Sequence, residues 1–315
     1  MNVQCVAPLR RAWARMKDIL FRPFNLGKWL VIGFSAWLAG LAGGGGGGGF
    51  RFNPSHDRVP SLHVRQALRG AWEHLRAHPN WLALIIVAAA VLAVIFLLLL
   101  WISSRGKFIF LDNVVHGRAR IAEPWRRFAQ RGDSLFFWRL GFVIACIVAL
   151  AAMGTLAVVS AGGFAGFGFG NVRAAAITVL AVLAALVWGV ACAYVSLFLD
   201  GFVVPVMYKE GIGAVEAWRR LLPWIESHFG SFFLYGLFLL GLAVALGVGV
   251  VVAGLLTCCV GLVLIALPYV GTVILLPFLV TYRAFSLEFL AQLDAGFTIL
   301  PKQPLAPAPP APTPA

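Results

Sequence analysis

Two carboxylates occupy matched places in this chain: Asp112 in Phe110-Leu-Asp-Asn and Asp200 in Phe198-Leu-Asp-Gly. Each follows a long apolar run. Each also precedes a connector that closes on a second shared pattern, Glu123-Pro-Trp125-Arg126-Arg127-Phe128 and Glu216-Ala-Trp218-Arg219-Arg220-Leu221. Ionisable groups close to a membrane are costly and concentrate at functional sites, so two acids at matched positions suit a cation or proton site. The alternative is that each carboxylate pairs with arginines of its own connector, and the placement of both acids away from mid-span favours it. The Glu-x-Trp-Arg-Arg copies also admit two readings. Arginine forks can hold phosphate headgroups, which makes Glu123, Trp125, Arg126, Arg127, Glu216, Trp218, Arg219 and Arg220 candidate contacts for anionic lipid or a membrane partner. Equally, Trp at headgroup level with Arg reaching any available lipid is an interfacial anchor that needs no specific ligand.

Other chemistry is thinly supported. The run Gly43 to Gly49 lacks the Gly-Lys-Ser/Thr that would make it a phosphate loop, and is expected to be a flexible linker. His74 and His78 stand four apart, with His56 and His63 nearby, but the Glu of His-Glu-x-x-His is missing. Cys258-Cys259 lies in an apolar context and suits packing. No Gly-x-Ser-x-Gly or Cys-x-x-Cys occurs. The centres of the apolar spans are expected to be free of ionisable side chains, which argues against a proton-coupled pump or a carrier of charged solutes. The expectation is a non-enzymatic protein with no metal and no cofactor.

The elements that position these residues are membrane helices. The chain is 61% hydrophobic and only 12% charged, against about 25% charged in ordinary soluble domains. Its apolar residues fall in runs near the roughly 20 needed to cross hydrocarbon. The fold class is all-α: a polytopic bundle forming one domain over 1–298, with a duplicated helix–connector–helix unit. Spans are expected over about 29–45, 81–102, 136–158, 174–199, 232–255 and 271–290, the third capped by Asp133-Ser134 and the last kinked at Pro277. Residues 257–268 are too short to cross alone and read as a bent or re-entrant piece. An interfacial helix over 8–23 sets Leu9, Trp13, Met16 and Leu20 against Arg11, Arg15, Asp18 and Arg22, and a second amphipathic helix runs from Ser61 to His78. Residues 299–315 form a Pro/Ala-rich disordered tail. Ala185, Gly189 and Ala193, and likewise Ala243/Gly247 and Gly249/Ala253, space small residues for close helix approach, within the bundle or between copies in a homo-oligomer.

The formal net charge of +13 lies beside the apolar runs, which suits anionic headgroups and not nucleic acid. The termini and the two connectors, counted together with Arg139 and Arg283 of the adjoining spans, hold 19 of the 25 Lys and Arg, so both termini are expected to be cytoplasmic. No cleavable signal peptide is evident.

Phe21-Arg-Pro-Phe24, Gly27-Lys-Trp-Leu-Val-Ile-Gly-Phe34, the glycine run, Ser104-Arg-Gly-Lys107, and Cys258-Cys259 followed by Leu267-Pro-Tyr-Val-Gly-Thr-Val273 resemble a group of uncharacterised bacterial multi-pass membrane proteins. Those are in turn similar to the membrane domain attached to some glycerophosphoryl diester phosphodiesterases. The resemblance covers nearly the whole chain before the tail and implies a bacterial inner membrane. The phosphodiesterase barrel has no counterpart here, so neither its activity nor any catalytic residue carries over. The functional expectation is a membrane protein whose basic interfacial helices contact anionic lipids or a partner; the alternative is a transporter or channel for a neutral or lipid-like solute.

Overall fold

Helices hold almost all of the residues that the computed structural model describes, which are 6–42, 79–162, 172–257, 260–293, 297 and 299–300. The glycine run, the helix expected over 61–78 with its histidines, Cys258-Cys259 and the tail from 301 lie outside the described residues. Among the described residues there is no strand, only an isolated bridge between Phe21 and Phe24.

The helices are α1 Val6–Leu20, α2 Leu26–Gly40, α3 Pro79–His116, α4 Ala122–Arg127, α5 Ala129–Ser160 and α6 Val172–Phe198. A π-helical turn, Leu199–Val203, carries α6 into α7 Val204–Glu210. Then follow α8 Ala214–Ser227, α9 Phe229–Leu256, α10 Val260–Ala266, α11 Pro268–Ile274 and α12 Leu276–Leu293. Local chemistry explains several boundaries. Asn25 Oδ1 accepts the Lys28 N–H at 3.1 Å, capping α2. Gly211 ends α7 at φ 77°, a conformation that favours glycine over any residue with a Cβ.

Four helices are long and apolar enough to cross a membrane: α3, α5, α6 with its continuation to Glu210, and α9. In the most apolar 18 residues of α3 none is buried, and the share reaches only 11% in α9. Apolar surface of that extent needs lipid against it. The pair α11–α12 passes the same test but is bent by 65°. The break falls at Leu275, two residues before the expected Pro277 kink. The first expected span appears as α2, whose 15 residues rise about 22 Å, short of the ~30 Å of hydrocarbon.

The core does not sit among these apolar stretches. It lies where the connectors meet, in a head built from α1, the second half of α3, α4, the start of α5, α7, α8, the start of α9 and α12. Phe108, Leu111, Leu135, Phe202, Phe285 and Phe289 are buried there. The last residues of the repeated patterns join them: Phe128 stacks on Phe108 at 5.9 Å, and Leu221 is fully buried. The apolar helices leave this head as arms.

Two side-chain assignments change. Asp133 and Ser134 do not cap α5, which already begins at Ala129. They lie in its second turn, free to bind other elements: Ser134 Oγ accepts the N–H of Ala214, satisfying a first-turn donor of α8. On α1, Met16 and Leu20 are buried, and on the basic face Arg11 has a partner within the protein. Its Nε bonds Glu288 of α12 at 2.8 Å, and half-buried Arg15 lies 3.9 Å from the same carboxylate. The helix packs along α12 as part of the head.

Close approaches occur at glycines other than those in the expected stripes. A Cβ on Gly106 would lie 2.8 Å from the backbone of Leu38 and Ala39, so only glycine lets α3 meet α2 there. Gly189, Gly247 and Gly249 have open space at the same point. Gly106→Leu should therefore destabilise the protein by about 2–3 kcal/mol, while Gly189→Leu should change stability by less than ~0.5 kcal/mol. Thermal unfolding of both variants in the same detergent checks the contrast.

Candidate functional site

Two prolines shape the chain around the most polar part of the interior. In the π-helical turn the N–H of Val204 bonds Leu199 O, a five-residue step. The next donor in that pattern would be Pro205, which has no N–H. The carbonyl of Asp200 therefore looks outward, and Arg283 Nη1 from α12 donates to it. Pro277 acts in the same way. It cannot bond Val273 O, and the Trp29 indole takes that carbonyl at 3.1 Å.

Arg283 arrives with other charges. Lys107 Nζ of α3 donates to Asp200 Oδ1. Arg139 of α5 donates to Ser103 Oγ and Ser104 Oγ, each at 3.2 Å, and to Ala42 O at 3.0 Å. Lys107, Arg139 and Arg283 are all buried. About a third of the Asp200 side chain, 34%, remains accessible. It is the one carboxylate that acts on all three cations among the described residues. The cluster thus sets three positive charges against one negative.

The expectation that span centres lack ionisable groups fails here. Arg283 lies well inside 271–290. The 65° bend draws α12 out of a straight crossing and onto the head, where a guanidinium finds partners. Lys107 and Arg139 were unexpected too. A signal did exist: a lone Arg or Lys near the end of a long apolar run is expensive unless something meets it.

Lys107, Asp200 and Arg283 stand in the wall of a cavity of about 1840 Å³. Leu237, Leu240 and Leu246 of α9 and Leu279 of α12 are among its apolar lining. Arg10 and Lys17 of α1 also line it. It is a long apolar groove with a cationic patch in its wall.

Asp112 and Asp200 do not form a paired acidic site. Asp112 Oδ1 accepts the Tyr208 hydroxyl at 2.7 Å and lies 3.4 Å from His116 Nδ1. The two acids share no hydrogen-bond or ion-pair partner among the described residues. Neither pairs with an arginine of its own connector. Asp112 of the first unit meets Tyr208 of the second, and Asp200 of the second meets Lys107 of the first, so the acids fasten the two halves together. No cluster of three metal-ligating side chains occurs among the described residues.

The connectors keep one pattern in two packings. Trp125 lies edge-on to Trp101 at 5.8 Å, beside Arg105, which holds Asp133 through both carboxylate oxygens. Trp218 stacks on Trp138 at 5.5 Å. Arg126, Arg127 and Arg219 are exposed. Arg220 pairs with Glu210 at 2.6 Å. Glu123 is taken by Arg120 at 2.6 Å, and that hydrogen bond and charge hold its carboxyl below the usual range. Glu216 is exposed in the first turn of α8, where an acid suits the helix dipole. Both connectors lie at one end of the molecule, joined by the Ser134–Ala214 bond and by Arg131 Nη1 donating to Tyr208 O at 3.4 Å.

A comparison with protein families finds one that matches residues 3–300, described as a family of unknown function (DUF7544). No curated protein and no solved structure matches the chain.

The charge cluster makes a stability prediction. Asp200→Asn leaves Lys107, Arg139 and Arg283 without a carboxylate and should cost about 3 kcal/mol. Lys107→Met keeps Asp200 beside two guanidinium groups and should cost less, and the double variant should cost less than the sum of the two. A double-mutant cycle on unfolding midpoints in detergent measures the coupling, and purely additive effects would contradict the pairing.

Proposed function

We propose that this chain, which belongs to the family of unknown function DUF7544, is a non-enzymatic membrane protein that engages anionic lipids through its basic connectors. The carrying observation is that Arg126, Arg127 and Arg219 stay exposed at one end of the bundle while the Trp of each pattern is anchored in the head. Exposed arginines beside membrane helices attract acidic headgroups, each worth about 1 kcal/mol near such a surface. The positive-inside rule puts this end in the cytoplasm, with both termini there, and the resemblance of the sequence favours a bacterial inner membrane. A membrane-protein partner or a second copy could use the same arginines. The likeness to the phosphodiesterase-linked membrane domain adds a lipid setting and no catalysis.

A second reading, a carrier for a lipid-like solute, draws support from the apolar groove of about 1840 Å³. Its assay is movement of a labelled lipid between leaflets of vesicles reconstituted with the protein.

The connector reading is tested by extracting the protein with its surrounding lipid in polymer nanodiscs and measuring the acidic-lipid fraction. The wild type should be enriched in acidic lipid over the bulk membrane. Replacing Arg126, Arg127, Arg219 and Arg220 by Gln should reduce the enrichment, by about fivefold for each arginine that meets a headgroup. An unchanged lipid profile in a normally inserted variant would sink the proposal.

A further inference from the structure

We infer that the groove is a binding site for one anionic phospholipid, whose phosphate meets Lys107 and Arg283 while an acyl chain lies along α9. This site stands on different residues from the connectors, so either reading can fail alone. Three observations carry it.

The first is charge. Lys107, Arg139 and Arg283 share one carboxylate, Asp200, and leave a formal excess of two positive charges in a buried place. Burying cations without compensation is costly, and an anion beside them removes much of that cost. The second is an unused donor. Arg283 is only 4% accessible, and its Nε, although buried, has no hydrogen-bond partner among the described residues. Its Nη1 is engaged by Asp200 O, and the side chain stands in the groove wall. A phosphate oxygen is a strong acceptor for such an N–H.

The third is shape. The α9 part of the wall runs from Phe233 to Ala253, a rise of about 30 Å, close to the thickness of the hydrocarbon layer. From Tyr235, whose hydroxyl lies against Gly201 in the π-helical turn, to Gly249 is about 21 Å along α9. That is roughly the reach of one acyl chain. A free inorganic anion would use the cationic patch but leave this wall uncovered, so the proposed occupant is a lipid. The α9 side of the groove is apolar throughout that length, with Ala243, Leu246 and Gly249 along it.

Asp200 then acts as a tuning group. It holds Lys107 in place and also competes with the lipid phosphate for it.

Native mass spectrometry of the full chain in mild detergent tests this, with dioleoyl phosphatidylglycerol, dioleoyl phosphatidylcholine or inorganic phosphate added. Phosphatidylglycerol should bind one to one, about tenfold tighter than phosphatidylcholine with the same chains. Arg283→Gln should weaken phosphatidylglycerol about tenfold, the size expected for a charge-assisted hydrogen bond. Asp200→Asn should strengthen it by freeing Lys107. Gly249→Trp should cut occupancy, because the glycine borders the groove and has open space where a side chain would enter. The four-arginine connector variant should leave the one-to-one component unchanged.

Equal binding of the two lipids would overturn the inference. So would displacement of phosphatidylglycerol by an equal concentration of inorganic phosphate, which would indicate an anion site without lipid. Unchanged binding in both Asp200→Asn and Gly249→Trp would also overturn it, and those variants decide the matter if Arg283→Gln does not fold.

Discussion

A backbone carbonyl without a donor cannot be left in apolar surroundings, and in this protein two prolines create that condition at the points that define the fold. Pro205 deprives Asp200 O of a helical partner, and Arg283 supplies the hydrogen bond from α12. Pro277 deprives Val273 O, and Trp29 supplies it from α2. Each repair fastens an element distant in sequence to the segment just before the proline. The π-helical turn, the bend between α11 and α12 and the place of Arg283 in the groove wall all lie beside these two missing N–H groups.

That requirement also explains why the molecule has a packed head and lightly packed arms. Hydrocarbon already solvates the apolar runs, so burying them against each other gains little. The connectors are different: their aromatic and aliphatic residues would meet water or headgroups if left alone, and they assemble into a core, beside which a second cluster forms from α1, α2, α3 and α12 around Met16, Ile32, Val114 and Val280. Polar groups stitch this head together across the two repeated units. Ser134 satisfies the first turn of α8, Tyr208 bonds Asp112, and Lys107 bonds Asp200. The groove opens where the head gives way to the arms, and it therefore has charge in one wall and hydrocarbon along the other.

Much of this was legible in the sequence. Long apolar runs of α3, α5, α6 and α9 announce themselves because hydropathy depends on local composition alone. The Glu-x-Trp-Arg-Arg copies identified the connectors, and Trp125 and Trp218 pack there against Trp101 and Trp138. Less legible were the roles within the copies. Phe128 and Leu221 looked like pattern ends and are core residues. Ser134 looked like a cap for its own helix and instead serves α8, since a hydroxyl cannot show in sequence which helix start will come within 3.1 Å. Gly189 and Gly249 had the spacing of a packing stripe, yet the close contact fell at Gly106, because proximity depends on which face a neighbouring helix approaches.

The sequence by itself determined the all-helical membrane class, the duplicated connectors and their basic, Trp-bearing character. These follow from composition and periodicity, which belong to single segments. Only the tertiary structure decided that Asp112 and Asp200 are separate fasteners and not one acidic site, and that Arg283, carried inside an apolar run, shares Asp200 with Lys107 and Arg139. A charge is placed by its partners, and partners from α3, α5, the π-helical turn and α12 come together only when the helices bend and pack.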